Sequence, residues 1–541
     1  MTTTRDHWNE ALGLLQAGRL IEAESALRKL AAEAALPDEG AKMLARLSYN
    51  RAVLVWAEDL AAAEALLREA MKLAPELPNS RTGLAEILVR RGAADIAAQG
   101  WGAAAAAAME AGTLWPEIGA SLTAPVRTLA EELRRSAIAI AGAQPVLGIR
   151  LALSTRRLLP QDPDLYATCR SLFAHLGVGG LGPAIDGATF EAALRENPTD
   201  LVALLGLANV RRQAHRLHEA EQLCRTALKY HPDNPFAIGR LASILFSGSR
   251  YREASRLYQT ISQSHDGVES VIRLRPEFFD TLRAEPAHET PDVVSDEPWE
   301  LVICAGCDAK YFHRFADGLA NSVARHRPST VLHFHVVNPD DGITARIAAA
   351  RQRLPILQIQ LTLEQAPEAL QGDSLRTFFA CARFLMLPDL LRRYRCPVLI
   401  LDVDAVVLCN PQPLIDQLRG ENADLAMVRG DQDDPWSRYW ADTILAAPTD
   451  RSLEYFDLVR RYIRHFLHQS RAIWFLDQVA LCAARVAGFD GRPAPRIIDW
   501  PADIQNSDTR LAYFWSLHMS QPNNADLPES TFYLSFKNAE T

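Results

Sequence analysis

Pro397-Val-Leu-Ile-Leu-Asp402-Val-Asp404 is a short, wholly apolar run that ends in two carboxylates. Its length and its β-branched Val398 and Ile400 mark it as a buried strand rather than a helix segment. Acids set beside Val, Leu and Ile are costly unless they are paired or hold a cation. Alternate positions of an extended chain point to one face, so Asp402 and Asp404 reach a single site. Carboxylate oxygens are hard ligands suited to Mg²⁺ or Mn²⁺, which bridge the oxygens of a diphosphate. The plainer alternative is a pair of acids on the solvent side of a strand.

Working outward, strands alternate with helices. Glu300-Leu-Val-Ile-Cys-Ala305 is a first strand candidate, with helical periodicity over about 311–326. Val331-Leu-His-Phe-His-Val-Val337 is a second, and a helix from Thr344 leads to a third around residues 356–361. Residues 374–387 are again helical and precede the carboxylate strand. This alternation predicts an α/β, Rossmann-like domain over residues 299–541, with a mostly parallel sheet and its ligand beyond the carboxyl ends of the strands.

Within residues 299–480, Ile303-Cys-Ala-Gly-Cys-Asp308-Ala-Lys-Tyr311 resembles the first-strand motif of the family-8-like retaining glycosyltransferases of GT-A fold. Leu399-Ile-Leu-Asp402-Val-Asp404 resembles their metal motif, and Trp474-Phe-Leu-Asp477-Gln478 their later Asp-Gln motif, in the same order. The resemblance implies a nucleotide-diphosphate sugar donor, UDP-linked, and Mn²⁺ or Mg²⁺ on Asp402 and Asp404. It implies that Asp308 reads the base ring with Tyr311 stacked on it, and that Asp402 also touches the ribose. Asp477 would bind hydroxyls of the transferred sugar, and Gln478 would lie near its anomeric carbon. Taken from the residues alone, Asp308 and Asp477 have a second reading as helix caps, and Tyr311 as core.

Arg383 lies in Phe378-Phe-Ala-Cys-Ala-Arg-Phe-Leu-Met-Leu387, an apolar helix for a permanently charged group. A buried guanidinium wants an anion, and a diphosphate or the aspartate pair would serve. The alternative is a charged stripe on a solvent face, with Arg376 seven residues earlier on the same face. The resembling family places a donor-contacting arginine here. It also supplies a late histidine to the metal and a lysine to the diphosphate. Lys537 matches the lysine, but Ser535 stands about where the histidine is expected, and His518 is the nearby histidine.

The front half is all helix. Counting back from Pro232, residues Ala227, Cys224, Ala220, Leu217, Ala208, Leu207 and Leu204 fall at the contact positions of a helix–turn–helix repeat of about 34 residues. Pro198, with Phe190 and Ala193, stands one period earlier, and Leu241, Ala242, Tyr251 and Ala254 one period later. Leu60, Ala63, Leu67, Ala70 and Pro75 form another copy, continued by Ala97, Trp101 and Ala104, while Leu20, Ala23 and Leu27 begin the series. This resembles the tetratricopeptide repeat family over residues 6–264, with an irregular stretch over about 110–185. The resemblance implies an all-α solenoid over residues 1–283 whose groove receives a protein or glycan acceptor, or which serves as a rigid spacer. The Pro- and acid-rich residues 284–298 read as a linker.

Two patterns are set aside. Gly177-Val-Gly179-Gly-Leu-Gly182 spells a dinucleotide fingerprint but lies among helices, and Cys304-Ala-Gly-Cys307 lacks the second pair of a zinc site. A net charge of −9 argues against a nucleic-acid binder. The sequence lacks an apolar run long enough to cross a bilayer and a basic-then-apolar leader, and its eight cysteines are scattered in apolar segments. A cytoplasmic address is expected.

The expected chemistry is stabilisation of a nucleoside-diphosphate leaving group, with Lys537 or Arg383 assisting the cation on Asp402 and Asp404. The clustered Trp436, Tyr439 and Trp440 either stack on an acceptor or pack their loop onto the domain. Rival readings are a non-catalytic repeat scaffold with a degenerate transferase-like domain, and another nucleotide-diphosphate enzyme.

Overall fold

The computed structural model describes residues 4–33, 36–115, 118, 123–140, 144–159, 187–262, 267–286, 297–430, 432–469, 473–505 and 512–516. Two compact units divide the chain, Met1–Val210 and Arg211–Thr541.

The first unit is helical. Leu20–Glu33, Asp38–Val55, Leu60–Leu73, Pro78–Ala97 and Trp101–Leu114 follow one another through short turns. Asp59 caps its helix by accepting from the Ala62 amide at 2.9 Å. Ala63, Leu67 and Ala70, spaced four and three apart, are completely buried and form one stripe. The alanine run is a packing device. Ala104, Ala105, Ala107 and Ala108 are buried, and the helix Pro145–Leu158 comes close enough for the Ser154 hydroxyl to donate to the Ala105 carbonyl at 3.0 Å. Gly206 serves the same need, since a Cβ there would meet the ring of Phe190.

The second unit begins with more repeat helices, Leu217–Tyr230, Pro235–Ser247 and Tyr251–Ser262, followed by helix Pro276–Ala284. Ala220, Cys224 and Ala227 are fully buried at the positions that the repeat spacing predicts. Asn234 caps the second helix by accepting from the amides of Phe236 and Ala237, and Pro235 occupies its first turn. Most of the predicted linker lies outside the described residues.

The same unit contains a mixed sheet of strand order β3-β2-β1-β4-β7-β6-β8. Strands β1 (Val302–Asp308), β2 (Val331–Val337), β3 (Gln358–Glu364) and β4 (Val398–Leu401) are parallel neighbours. Strand β7 (Tyr439–Ala446) runs antiparallel to β4 and to β6 (Leu425–Arg429), and β8 (Ile497–Trp500) is parallel to β6. A two-stranded pair joins β5 (Ala405–Val407) to β9 (Phe514–Ser516). Every residue of β2 is buried, as expected when helices cover both faces. Phe312, Phe315 and Leu319 of helix Ala309–His326 share one core with Leu332, Phe334 and Val336. Helix Gly372–Tyr394 packs on β1, β2 and β4, with helix Asp450–His468 against it.

The chain leaves β1 toward β2, then returns from β3 to β4 on the other side of β1. The carboxyl ends of β1 and β4 therefore flank the switch point of the sheet, where open α/β sheets bind ligands. Gly306 on β1 matters here. A Cβ would sit 3.0 Å from the Cβ and backbone nitrogen of Arg383, so glycine lets helix Gly372–Tyr394 lie close against the strand at this residue.

Because the repeat helices after Arg211 belong to the sheet-containing unit, truncation should distinguish two cut points. A chain beginning at Pro198 is expected to unfold cooperatively in denaturant. One beginning at Trp299 is expected to lose about 3–5 kcal/mol or more, because it removes Phe278 and Phe279 and uncovers the Tyr462 and Phe466 rings they pack against. Equal stabilities by urea melts would refute this division.

Candidate functional site

Asp308 ends β1 in extended conformation and accepts from the Tyr311 amide at 2.8 Å, so it caps helix Ala309–His326. The capping reading of Asp308 is therefore realised. Tyr311 is 39% exposed and leans on Phe315 rather than entering the core. Its phenol is raised above its ordinary pKa by burial first, then by the charges of Asp404 and Asp308. Those three side chains thus stand within electrostatic reach of one another.

Asp402 follows β4 at a turn closed by the Ala405 amide on its carbonyl. Its carboxylate accepts an ion-paired contact from Arg383 at 2.8 Å. Arg383 is only 6% exposed, so the buried reading of this residue holds. The guanidinium also donates to the Ala441 carbonyl at 3.1 Å and lies 3.7 Å from Asp477. Burial opposes its charge, and Asp402, Asp477 and Asp442 more than offset that, holding its pKa above the ordinary value. Arg376 does not join it. That side chain is 75% exposed and pairs with Asp373.

Asp477 is 6% exposed in the first turn of helix Leu476–Ala487 and accepts from the Gln478 amide at 2.8 Å. Burial raises its pKa, with Arg383 opposing. The residue at the cap position is Phe475, held at φ 75°. An aromatic residue in the left-handed region costs about 1–2 kcal/mol, strain that the surrounding structure sustains directly before Asp477.

Two members of the site were missed by sequence reasoning. Asp442 on β7 is 9% exposed, and one of its oxygens accepts from the Gln505 side chain at 2.7 Å. Its other oxygen, and the Gln505 carbonyl oxygen, have no hydrogen-bond partner among the described residues. Burial, then the charge of Asp402, pushes the Asp442 carboxyl up to about 7. The signal was present in Tyr439-Trp-Ala-Asp442-Thr-Ile-Leu-Ala446, where an acid interrupts an apolar strand as Asp402 does. For Gln505 there was none, since it lies in a short 3-10 turn, Ala502–Gln505.

The result is a set of carboxylates, Asp402, Asp442 and Asp477, gathered around Arg383 at the switch point, with Asp404 two residues beyond Asp402. Asp404 is 8% exposed. Among the described residues no group of three His, Cys, Asp or Glu side chains assembles as a metal cage. Were a cation to bind here, Asp402 and Asp404 could supply part of its coordination shell, and the rest would have to come from ligand oxygens and water, as Mg²⁺ commonly accepts. Lys537, Ser535 and His518 lie outside the described residues, as does Gly177–Gly182. Cys304 and Cys307 are buried free thiols.

The tetratricopeptide repeat family matches residues 211–274. No curated protein matches the sequence. Among solved structures, the chain is similar to the WbbM bifunctional glycosyltransferase in its apo form at 14% identity and TM-score 0.30, over 68% of this chain and 74% of that one. It is similar to apo mouse xyloside xylosyltransferase 1 at 9% identity and TM-score 0.27, over 42% and 99%. A thermophilic tetratricopeptide-repeat protein of Thermus thermophilus matches at 18% identity and TM-score 0.15, over 41% and 91%. These TM-scores are too low to carry an inference about the chain.

Two outcomes follow from the charge balance. Arg383→Ala should destabilise the unit by about 3–5 kcal/mol in denaturant melts, because it leaves buried carboxylates unpaired. Asp442 binds a proton in the folded state that the unfolded chain has released, so stability falls as pH rises from 3.8 toward about 7 and levels off above. With chelator present, Asp442→Asn should remove that slope and gain at most on the order of 4 kcal/mol at pH 8. Wild type and variant should coincide near pH 4. Parallel stability–pH curves would disprove the assignment.

Proposed function

We propose that the sheet-containing unit is a glycosyltransferase of GT-A type that takes a nucleotide-diphosphate sugar, UDP-linked, as donor and retains configuration at the transferred carbon. The observation that carries this reading is the carboxylate group around Arg383 at the carboxyl ends of β1 and β4. A diphosphate needs cations beside it. A site built of acids reaches a diphosphate through a divalent metal, and Asp402 and Asp404 are the ligands of the right hardness.

In this reading Tyr311 and Asp308 flank the base, the exposed ring offering a stacking face. Asp402 and Asp404 hold Mn²⁺ or Mg²⁺, which when bound neutralises charge developing on the leaving diphosphate. Arg383 is enclosed and bonded to Asp402 and the Ala441 carbonyl, so its part is to orient the acids. Asp477, with Asp442 beside the same guanidinium, presents oxygens to sugar hydroxyls, and Gln478 lies next to the reacting carbon. Lys537 would assist at the diphosphate. The helical repeats contribute an acceptor-holding surface, for protein or glycan.

A second reading is favoured by one observation: Asp402 is paired with Arg383 at 2.8 Å, so its charge is balanced within the protein. A unit that binds nucleotide sugar but transfers nothing, carried by a repeat scaffold, would use the pair that way.

Nucleotide release from a panel of nucleotide sugars, with Mn²⁺ and with chelator, separates the two. A glycosyltransferase releases one diphosphate in a reaction that needs metal, and Asp404→Ala lowers it by about 100-fold or more. Binding by calorimetry with no release at any metal concentration would favour the scaffold. Release of a monophosphate would point to cleavage of a phosphorus–oxygen bond and overturn the proposal.

A further inference from the structure

Strands β6 and β7 are joined by residues 430–438, and this loop is gripped by helices of the repeat region. Asp434 is completely buried and accepts both arms of the Arg212 guanidinium, at 3.0 and 3.2 Å. Arg212 is 7% exposed in the last turn of helix Leu201–Gln213. The Ser247 hydroxyl donates to the Asp433 carbonyl at 3.3 Å. Arg438 donates to the Tyr251 phenol at 3.2 Å and lies 4.1 Å over the ring of Phe246. Trp436 meets Tyr258 edge-on, with ring centroids 6.3 Å apart. Of the clustered aromatics, Trp436 therefore packs the loop onto the repeat helices, while Trp440 packs against the core of the sheet and Tyr439 against Arg485.

The loop is also tied to the site. The Asp434 carbonyl accepts from the amides of Ser437 and Arg438 at 3.0 and 2.9 Å, so the buried aspartate forms the turn that presents Trp436. Gly430 donates to the Arg438 carbonyl at 3.0 Å and closes the base of the loop. A Cβ at Gly430 would collide with the Ser437 carbonyl. In the orientation that satisfies it, the Gln478 side-chain nitrogen donates to the carbonyls of Trp436 and Tyr439, at 2.7 and 3.1 Å. Gln478 adjoins Asp477, which faces Arg383. A continuous set of contacts thus runs from Arg212 to the carboxylate site.

A buried ion pair contributes little net stability compared with well-packed apolar residues, because desolvation offsets its attraction. A forked guanidinium–carboxylate pair does fix position and orientation together. We propose that Arg212 is a positioning residue for the transfer site: through Asp434 it sets the β6–β7 loop whose carbonyls hold the Gln478 side chain in place. This rests on the glycosyltransferase reading of that site. The face of the repeats around Arg212, Phe246 and Ser247 is then a clamp for the chain's own loop.

The test uses the full chain, with donor hydrolysis measured for wild type, Arg212→Lys and Tyr251→Phe, alongside thermal melts and hydrogen exchange. Lysine keeps the charge and loses the fork. Arg212→Lys should lower kcat by about 10- to 100-fold while donor KM changes by less than about threefold, as expected of a sub-ångström to ångström misplacement. Exchange should quicken at residues 432–439 and not across β1 to β4. If Arg212→Lys does not fold, Tyr251→Phe, which removes one loop anchor, should lower kcat about threefold with the melt unchanged. Unchanged kcat in the folded variants, with an active wild type, overturns the positioning role. A wild type that turns over no donor sinks the transferase reading and this inference with it.

Discussion

Arg383 is a permanent charge enclosed in an apolar helix, and it must find anions where the fold puts it. It finds Asp402 after β4, Asp477 at the start of helix Leu476–Ala487, and the Ala441 carbonyl on β7. Those partners come from the parallel half of the sheet, the following helix and the antiparallel half. One guanidinium therefore ties three separately folded elements together at the switch point. Gly306 permits it, because any side chain on β1 at that position would push the arginine's helix away.

The same enclosure sets the chemistry. Three acids, Asp402, Asp442 and Asp477, stand around one arginine, and burial lifts the Asp442 and Asp477 carboxyls. The strained backbone at Phe475 immediately precedes Asp477, and the turn following β4 presents Asp402 and Asp404. Asp402, Asp404 and Asp477 sit at element ends, where position is set by the sheet and direction by the turn, whereas Arg383 and Asp442 lie inside theirs.

The repeats have two employments in one chain. In the first unit the small residues, Ala63, Ala104 and Gly206 among them, let helices approach closely and stack. In the second, helices of the same kind spend part of their surface on the β6–β7 loop, through Arg212, Ser247 and Tyr251.

Much of this was legible from residue order. Helical spacing of alanine and leucine gave the repeat helices, and the apolar runs at Val302, Val331 and Val398 gave parallel strands, because burial leaves a periodic mark that neighbours in sequence share. Arg383 and the acids at Asp402 and Asp404 stood out as charges in apolar surroundings. Asp442 carried the same mark and was overlooked, and Gln505 carried none. The return strand β7 beside β4, the fork of Arg212 on Asp434 over more than two hundred residues of chain, and the membership of the later repeat helices in the sheet unit were beyond reach. Local periodicity and charge in context are properties of a segment, so the sequence alone determined most of the helices and strands and marked Arg383 as a buried charge. Which buried charge meets which partner depends on long-range packing that leaves no local trace, and that only the tertiary structure decided.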